Sequence, residues 1–217
     1  MRRALFVGRS YVTLPRTARS NAGTWDSLTR FAANPSSQSE QWAPFARKAE
    51  AQRTYEDYKA WCEARGVSVA EDIVDSVEWV DACSAASHRV GLEPSWAPYN
   101  LDSDIEHWVL WHHPNDVPGH TDLASSSEEA IVKELLQRYC GTATARPEED
   151  QLVTFQNIPL RRSVSDIAHS HVFFRLKDGA SDTELELTLS MLRRRWQQRA
   201  LDRRRALEKV RNSTVGL

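Results

Sequence analysis

The spacing of apolar residues changes several times along this chain, and each change marks an element. Between Phe45 and Ala64 the period is helical: Tyr55, Tyr58 and Trp61 stand at i, i+3 and i+6, while Glu56 and Asp57 are left to face water. That aromatic stripe is expected in the core rather than under a ligand. After Gly66, Ser68 and Glu71 have capping-box spacing, and Val69, Ile73, Val77 and Val80 share a face, which predicts a second helix over 69–86 and a helical hairpin with the first, 45–66. Pro94 and Pro98 predict a loop over 88–104. From Ile105 to His113 the period is two, with Ile105, His107, Val109, Trp111 and His113 on one face and Glu106, Trp108, Leu110 and His112 on the other. Both faces are mainly apolar or aromatic, so the segment reads as a strand buried on both sides. Ser126 with Glu129 caps a helix bearing Ile131, Val132, Leu135, Leu136 and Tyr139 and stopping at Gly141. Leu152–Phe155 and Ser170–Leu176 are short strand-like runs. The expected class is α+β, a small three-stranded sheet packed with helices over residues 45–178.

Beyond this body lie two extensions. Residues 1–44 read as an extended N-terminal arm, ending in a Pro/Ser/Gln-rich linker over 31–44. Residues 179–217 read as a long helix with a polar tail: Ser181 and Glu184 form a capping box, and Leu185, Leu189, Leu192 and Trp196 make a seam. About 30 residues of helix would reach ~45 Å at about 1.5 Å per residue, far enough to leave the body. At 217 residues the chain suits one domain with extensions better than two full domains.

Charge separates these parts more sharply than the net value of −2. Residues 1–30 carry +5 and residues 181–211 carry +4, while 31–180 hold 13 basic against 24 acidic residues, or −11. An acidic body repels phosphate backbones, which disfavours nucleic acid as a partner, whereas basic ends suit acidic protein surfaces or anionic lipid. The N-terminal arm contains Arg2, Arg3, Arg9, Arg16 and Arg19 and no acid before Asp26, the composition of a mitochondrial import segment; an ordinary basic tail is the other reading. Arg193 to Arg195 and Arg203 to Arg205, Arg203 and Arg204 among them, lie along the Leu/Trp seam and are expected to meet acidic partner proteins. No apolar run reaches the ~18 residues of a membrane span. Cys62, Cys83 and Cys140 form neither a disulfide framework nor a zinc motif, and fit buried residues in a reducing compartment.

Five of the seven histidines fall in two boxes, Trp96 to Pro114 and Val153 to Arg175. His169 and His171 share one strand face, as a metal or oxyanion site requires, and His107 is placed to join them from a neighbouring strand. Neither local spacing nor a nucleophile motif completes such a site, and histidines among aromatic residues commonly hydrogen-bond within a core. Asp166 stands three residues before His169, where a carboxylate could orient the ring, and Arg161 with Arg162 is a candidate anion pair that more often is solvated. No cofactor is called for by any motif.

Three segments carry a likeness to a known family: Tyr58 to Trp79, Trp96-Ala97-Pro98-Tyr99 followed by Ile105 to Trp111, and Phe155-Gln156-Asn157 through His169-Ser170-His171-Val172-Phe173. They resemble the N-acetylglucosamine-induced proteins, a eukaryotic domain of unknown function, over about residues 50–176. The resemblance implies a conserved domain without an assigned reaction, and its name points to a sugar-related small molecule. From the extremities and the charge pattern, the expected role is a non-catalytic accessory subunit of a mitochondrial multiprotein complex, on the matrix side or peripheral to the inner membrane. An ATP synthase or respiratory complex is preferred over a ribosome because the body is acidic. The alternative is an enzyme or sensor built on His107, His169 and His171.

Overall fold

The computed structural model describes residues 22–34, 45–82, 88–116, 125–140, 151–157 and 162–175, with the single positions 190, 191, 193, 194, 198, 202 and 205. Among these residues lie four helices, α1 (Trp25–Ala33), α2 (Ala49–Ala64), α3 (Val69–Ser76) and α4 (Ser125–Cys140). Five strands accompany them: β1 (Val80–Asp81), β2 (Arg89–Pro94), β3 (Ile105–His112), β4 (Leu152–Phe155) and β5 (His169–Arg175). The strands form one antiparallel sheet in the order β1-β2-β3-β5-β4. The class is α+β as expected, but the sheet has five strands rather than three.

The two additional strands occupy segments read as helix and loop. α3 begins at its Ser68–Glu71 capping box, yet ends at Ser76 instead of running to 86. Val77 turns extended, and the indole N–H of Trp79 donates to the Val74 carbonyl at 2.8 Å, meeting an acceptor that a helix end leaves open. Val80 and Asp81 are then free to pair with Val90 and Arg89. In the second segment Pro94 is the last strand residue, so its missing N–H does not interrupt the pairing of Val90, Gly91 and Leu92 with His112, Trp111 and Leu110.

The period-two faces of β3 are as the sequence implies, because each face is covered by helix. Trp108 and Leu110 join Val90, Leu92, Val172 and Phe174 beneath Ile131, Val132, Leu135 and Leu136 of α4. Burying each of these four aliphatic side chains contributes about 1.5–3 kcal/mol. On the opposite face Ile105 and Phe173 pack with Trp25, Leu28 and Phe31 of α1, and Val109 and Trp111 pack with Ile73 and Val77 beside α3. β3 is therefore the centre of the molecule, with seven of its eight residues buried.

α1 lies inside the stretch 1–44 expected to be arm and linker. Its Thr24–Ser27 capping box fixes the start, and Leu28 and Phe31 are fully covered, with Phe31 against Phe45 at 4.8 Å and Phe155 at 5.0 Å between ring centroids. The three apolar residues Trp25, Leu28 and Phe31 recur at helical spacing, so the folded body begins before this helix. Glycine is required at two places. Gly66 ends α2 with φ 68°, while its N–H and that of Val67 bond back to the Glu63 and Cys62 carbonyls. Gly91 lies under Val77, where any Cβ would collide with the Val77 side chain.

The aromatic stripe of α2 packs as expected: Tyr55 and Trp61 are buried, and Trp96 stacks on Tyr55 at 5.1 Å and meets Tyr58 edge-on at 4.5 Å. α4 starts at Ser125, a residue before its expected cap. The described positions between 190 and 205 are helical, and Arg193 pairs with Glu106 of β3. Arg2, Arg3, Arg9, Leu185, Leu189, Leu192, Trp196, Arg203 and Arg204, on which partner binding was expected to rest, lie outside the described residues. No helix among the described residues is long and apolar enough to cross a membrane.

Candidate functional site

His107 and His171 meet through the pairing of β3 with β5, which sets Val109 opposite His171 and His107 opposite Phe173. The two rings are diagonal neighbours, with His107 Nε2 and His171 Nδ1 3.0 Å apart. Tyr99 supplies the next two contacts: its backbone N–H donates to His107 Nδ1 at 3.1 Å, and its hydroxyl lies 3.1 Å from His171 Nε2. Asn157, just beyond β4, places its side-chain amide 2.8 Å from the same Nε2.

The proton positions follow from Tyr99. A backbone N–H can only donate, so His107 Nδ1 is the acceptor and the proton of the neutral ring is on Nε2. That N–H donates to His171 Nδ1, which puts the second ring's proton on its own Nε2. If the Asn157 Nδ2 faced that nitrogen, two donors would oppose each other, and Oδ1 would meet no donor among the described residues. Turning the amide about its axis exchanges two groups of nearly equal shape and sets Oδ1 against His171 Nε2 and the Tyr99 hydroxyl. We therefore assign Asn157 Oδ1 as the acceptor from His171 Nε2–H.

Both rings are uncharged. Burial holds His107 down at about 3, with the Arg47 charge acting in the same direction. Burial likewise lowers His171 well below the ordinary histidine value, helped by His107, His169 and Arg47. Phe155 and Phe173 flank this pair. A base so hard to protonate, with both nitrogens engaged, is poorly placed to exchange protons with a substrate.

His169 does not complete a triad. Its Nδ1–H donates to the Ile167 carbonyl at 2.9 Å, and its ring meets His171 edge-on at 5.6 Å between centroids. No group of three or more His, Cys, Asp or Glu side chains that could hold a metal ion occurs among the described residues. The 3.0 Å between His107 Nε2 and His171 Nδ1 is hydrogen-bond length, so these two nitrogens are engaged with each other. Asp166 is exposed and accepts from Ser165 Oγ at 2.7 Å, so it does not orient His169. Arg162 braces the chain near Asn157, donating to its carbonyl at 3.0 Å; Arg161 lies outside the described residues.

A second polar cluster lies on the α4 face. The Glu128 carboxylate accepts from Ser170 Oγ at 2.7 Å and Gln156 Nε2 at 3.1 Å, and His112 Nε2 stands 3.6 Å away. His112 Nδ1 is in turn 2.8 Å from His88 Nε2. Burial pushes the Glu128 carboxyl upward, but the nearby His112 and the hydrogen bonds from Ser170 and Gln156 outweigh it, so the group lies below the ordinary carboxylate range. Ser170 is fully buried and donates to a carboxylate rather than to an imidazole, which is not a nucleophile's arrangement. The sequence reading did not find Glu128, Ser170, Tyr99 or Asn157 as site residues. Glu128 left a signal as a charged residue one turn before the apolar face of α4, and Tyr99, Asn157 and Ser170 stood in the segments that carry the family likeness.

His112 and His113 diverge as their alternation requires. His112 faces Glu128, while His113 meets Trp79 edge-on and the Arg89 guanidinium at 2.8 Å.

A cleft of about 390 Å³ lies where β2 ends and the 95–104 loop leads into β3. Trp96, Pro98, Tyr99 and Ile105 form walls, His107 lies on the floor, and Asp102, Glu106 and Arg193 bring charge. Arg47 braces the loop, donating from Nε to the Ala97 carbonyl at 3.0 Å with its guanidinium 4.8 Å from the Tyr55 ring centroid.

Fold and site together define an α+β domain with a helix-covered sheet, two buried histidine clusters and a preformed cleft. The chain belongs to the family described as Protein of unknown function (DUF3605), which matches residues 24–175. That span begins at the Thr24 cap of α1 and ends with β5. A solved structure described as the crystal structure of HTC1 is similar at 17% sequence identity, covering 77% of this chain and 93% of that chain with a TM-score of 0.48. No curated protein matches the chain.

Proposed function

We propose that the protein is a non-catalytic accessory subunit of a mitochondrial multiprotein complex, with its α+β body as a binding module and its basic ends as anchors. The observation that supports the reading is that the buried histidine network bonds within the fold. His107, His171, Tyr99 and Asn157 bond to one another, and Glu128 is engaged by Ser170 and Gln156, so these buried groups serve the fold. The body's charge of −11 between two basic ends favours protein partners over RNA. It therefore favours an inner-membrane energy complex, an ATP synthase or a respiratory complex, over a ribosome. Anionic lipid at the basic ends is a further proposed contact.

Affinity capture of the tagged chain from gently solubilised mitochondria, read by mass spectrometry, tests the assignment. Subunits of one energy complex in constant ratio are the expected result; ribosomal subunits in their place would overturn the preference.

The cleft beside His107 favours a second reading, a small-molecule sensor or enzyme, for which the N-acetylglucosamine-induced naming of similar proteins would supply a sugar-related ligand. Calorimetric titration of the purified protein with N-acetylglucosamine separates the two readings. Saturable binding, lost on Trp96→Ala in the cleft wall, would favour the small-molecule reading over the binding module.

A further inference from the structure

The charged groups around the cleft come from two sources. The folded body provides Asp102 and Glu106, both acidic, and among the described residues the cation in the lining is Arg193 from the C-terminal segment. Arg193 sits against Glu106, whose second oxygen accepts from the Trp108 indole N–H at 3.3 Å. Asp102 is different. Its backbone is committed, since its N–H donates to the Gly23 carbonyl and its carbonyl accepts from the Ile105 N–H, each at 3.1 Å. Its carboxylate makes no ion pair among the described residues.

The walls fit the same chemistry. Trp96 and Tyr99 offer aromatic surface, while Pro94, Pro98, Leu101 and Ile105 are apolar contacts for an alkyl stem. The site is preformed, because Trp96 is held by Tyr55 and Tyr58 and its loop by Arg47. About 390 Å³ stays open with Arg193 in place, within the range of ordinary ligand clefts. One guanidinium already rests on one carboxylate there, and the second carboxylate has room beside it for another.

We propose that this cleft is the docking site for an arginine-bearing segment of a partner protein, whose side chain lies along Trp96 and Tyr99 and pairs with Asp102. The choice of a protein-borne arginine rests on the reading of the body as a binding module; the cationic preference rests on the cleft alone.

Fluorescence anisotropy on the purified full-length chain tests it, with a labelled five-residue peptide carrying one central arginine between leucines and the same peptide carrying glutamate. The arginine peptide is expected to bind saturably and the glutamate peptide at least tenfold more weakly. Asp102→Asn, which keeps side-chain shape, should weaken the arginine peptide about tenfold with an unchanged Tm. Arg193→Ala, which releases Glu106 as a second anchor, should tighten it several-fold. No saturable binding, or binding indifferent to Asp102→Asn, would overturn the site. Argininamide competing as well as the peptide would overturn the protein-borne source. Because the assay uses purified chain, its failure is distinct from failure of the mitochondrial assignment, which only capture from mitochondria can expose.

Discussion

The backbone N–H of Tyr99 sets the tautomer of His107 and, through it, that of His171. The consequence is directly measurable: both rings should show the neutral Nε2–H pattern in long-range nitrogen-proton spectra and keep it at pH 5, where an ordinary histidine is mostly charged. Loss of either signal pattern at pH 5 would contradict the network. The sign for stability follows. In the unfolded chain both rings protonate near pH 6.5, while in the fold His107 resists to about 3 and His171 is also held well below its ordinary value. The unfolded state therefore binds more protons below pH 6.5. Stability is full above that pH and falls as pH drops through the window toward 3, by up to ~1.4 kcal/mol per pH unit for each ring. The depressed Glu128 carboxyl adds acid sensitivity of the same sign at lower pH. Replacing His171 by Phe strands the His107 N–H and should cost about 1–3 kcal/mol in urea unfolding, while the His107→Phe, His171→Phe double variant should cost less than the sum of the singles. The meeting of His107 and His171 was legible in the sequence, because a period of two and adjacent strands suffice to bring them together. Tyr99 and Asn157 were not, since both lie in irregular segments where no periodicity says which way a side chain points.

At the level of elements, short-range signals were read well where one residue type had one physical meaning. The Ser68–Glu71 box starts α3 and Gly66 ends α2 at a positive φ. Ser68→Ala should therefore lower stability by about 1 kcal/mol, the usual worth of an N-cap, as read by thermal unfolding. The errors fell where one pattern admits two structures. Val77 and Val80 continue the helical face of α3 in the sequence, yet Val77 is its extended end and Val80 pairs in β1. Pro94 suggested a loop because the rule against proline in strands weakens at a strand's last position, where it sits. Gly91 is the test of this corner. Gly91→Ala drives a methyl into Val77 and should cost about 1–3 kcal/mol, and Val77→Ala in the same chain should recover part of that loss; equal stability of Gly91→Ala and the native chain would contradict the close packing of α3 on β2.

For the molecule as a whole, the acidic middle became a body covered on both sheet faces, and its start moved back to include α1. α1 was missed because its nine residues stand between an Arg-rich arm and a Pro/Ser/Gln-rich stretch; Trp25, Leu28 and Phe31 keep helical spacing, and their partners Phe45 and Phe155 tie the helix to the body. A body whose buried histidines bond to one another, in a chain with basic extremities, is suited to being held by other proteins. A reporter fused to residues 1–44 should enter mitochondria, and changing Arg2, Arg3 and Arg9 to Gln together should keep it out, as read by fractionation and protease protection. The central claim, membership of a larger assembly, is tested most directly by native-gel migration of the endogenous chain from gently solubilised mitochondria. The account predicts a single high-mass band whose position follows an energy complex; migration as a free monomer in the cytosolic fraction would contradict it.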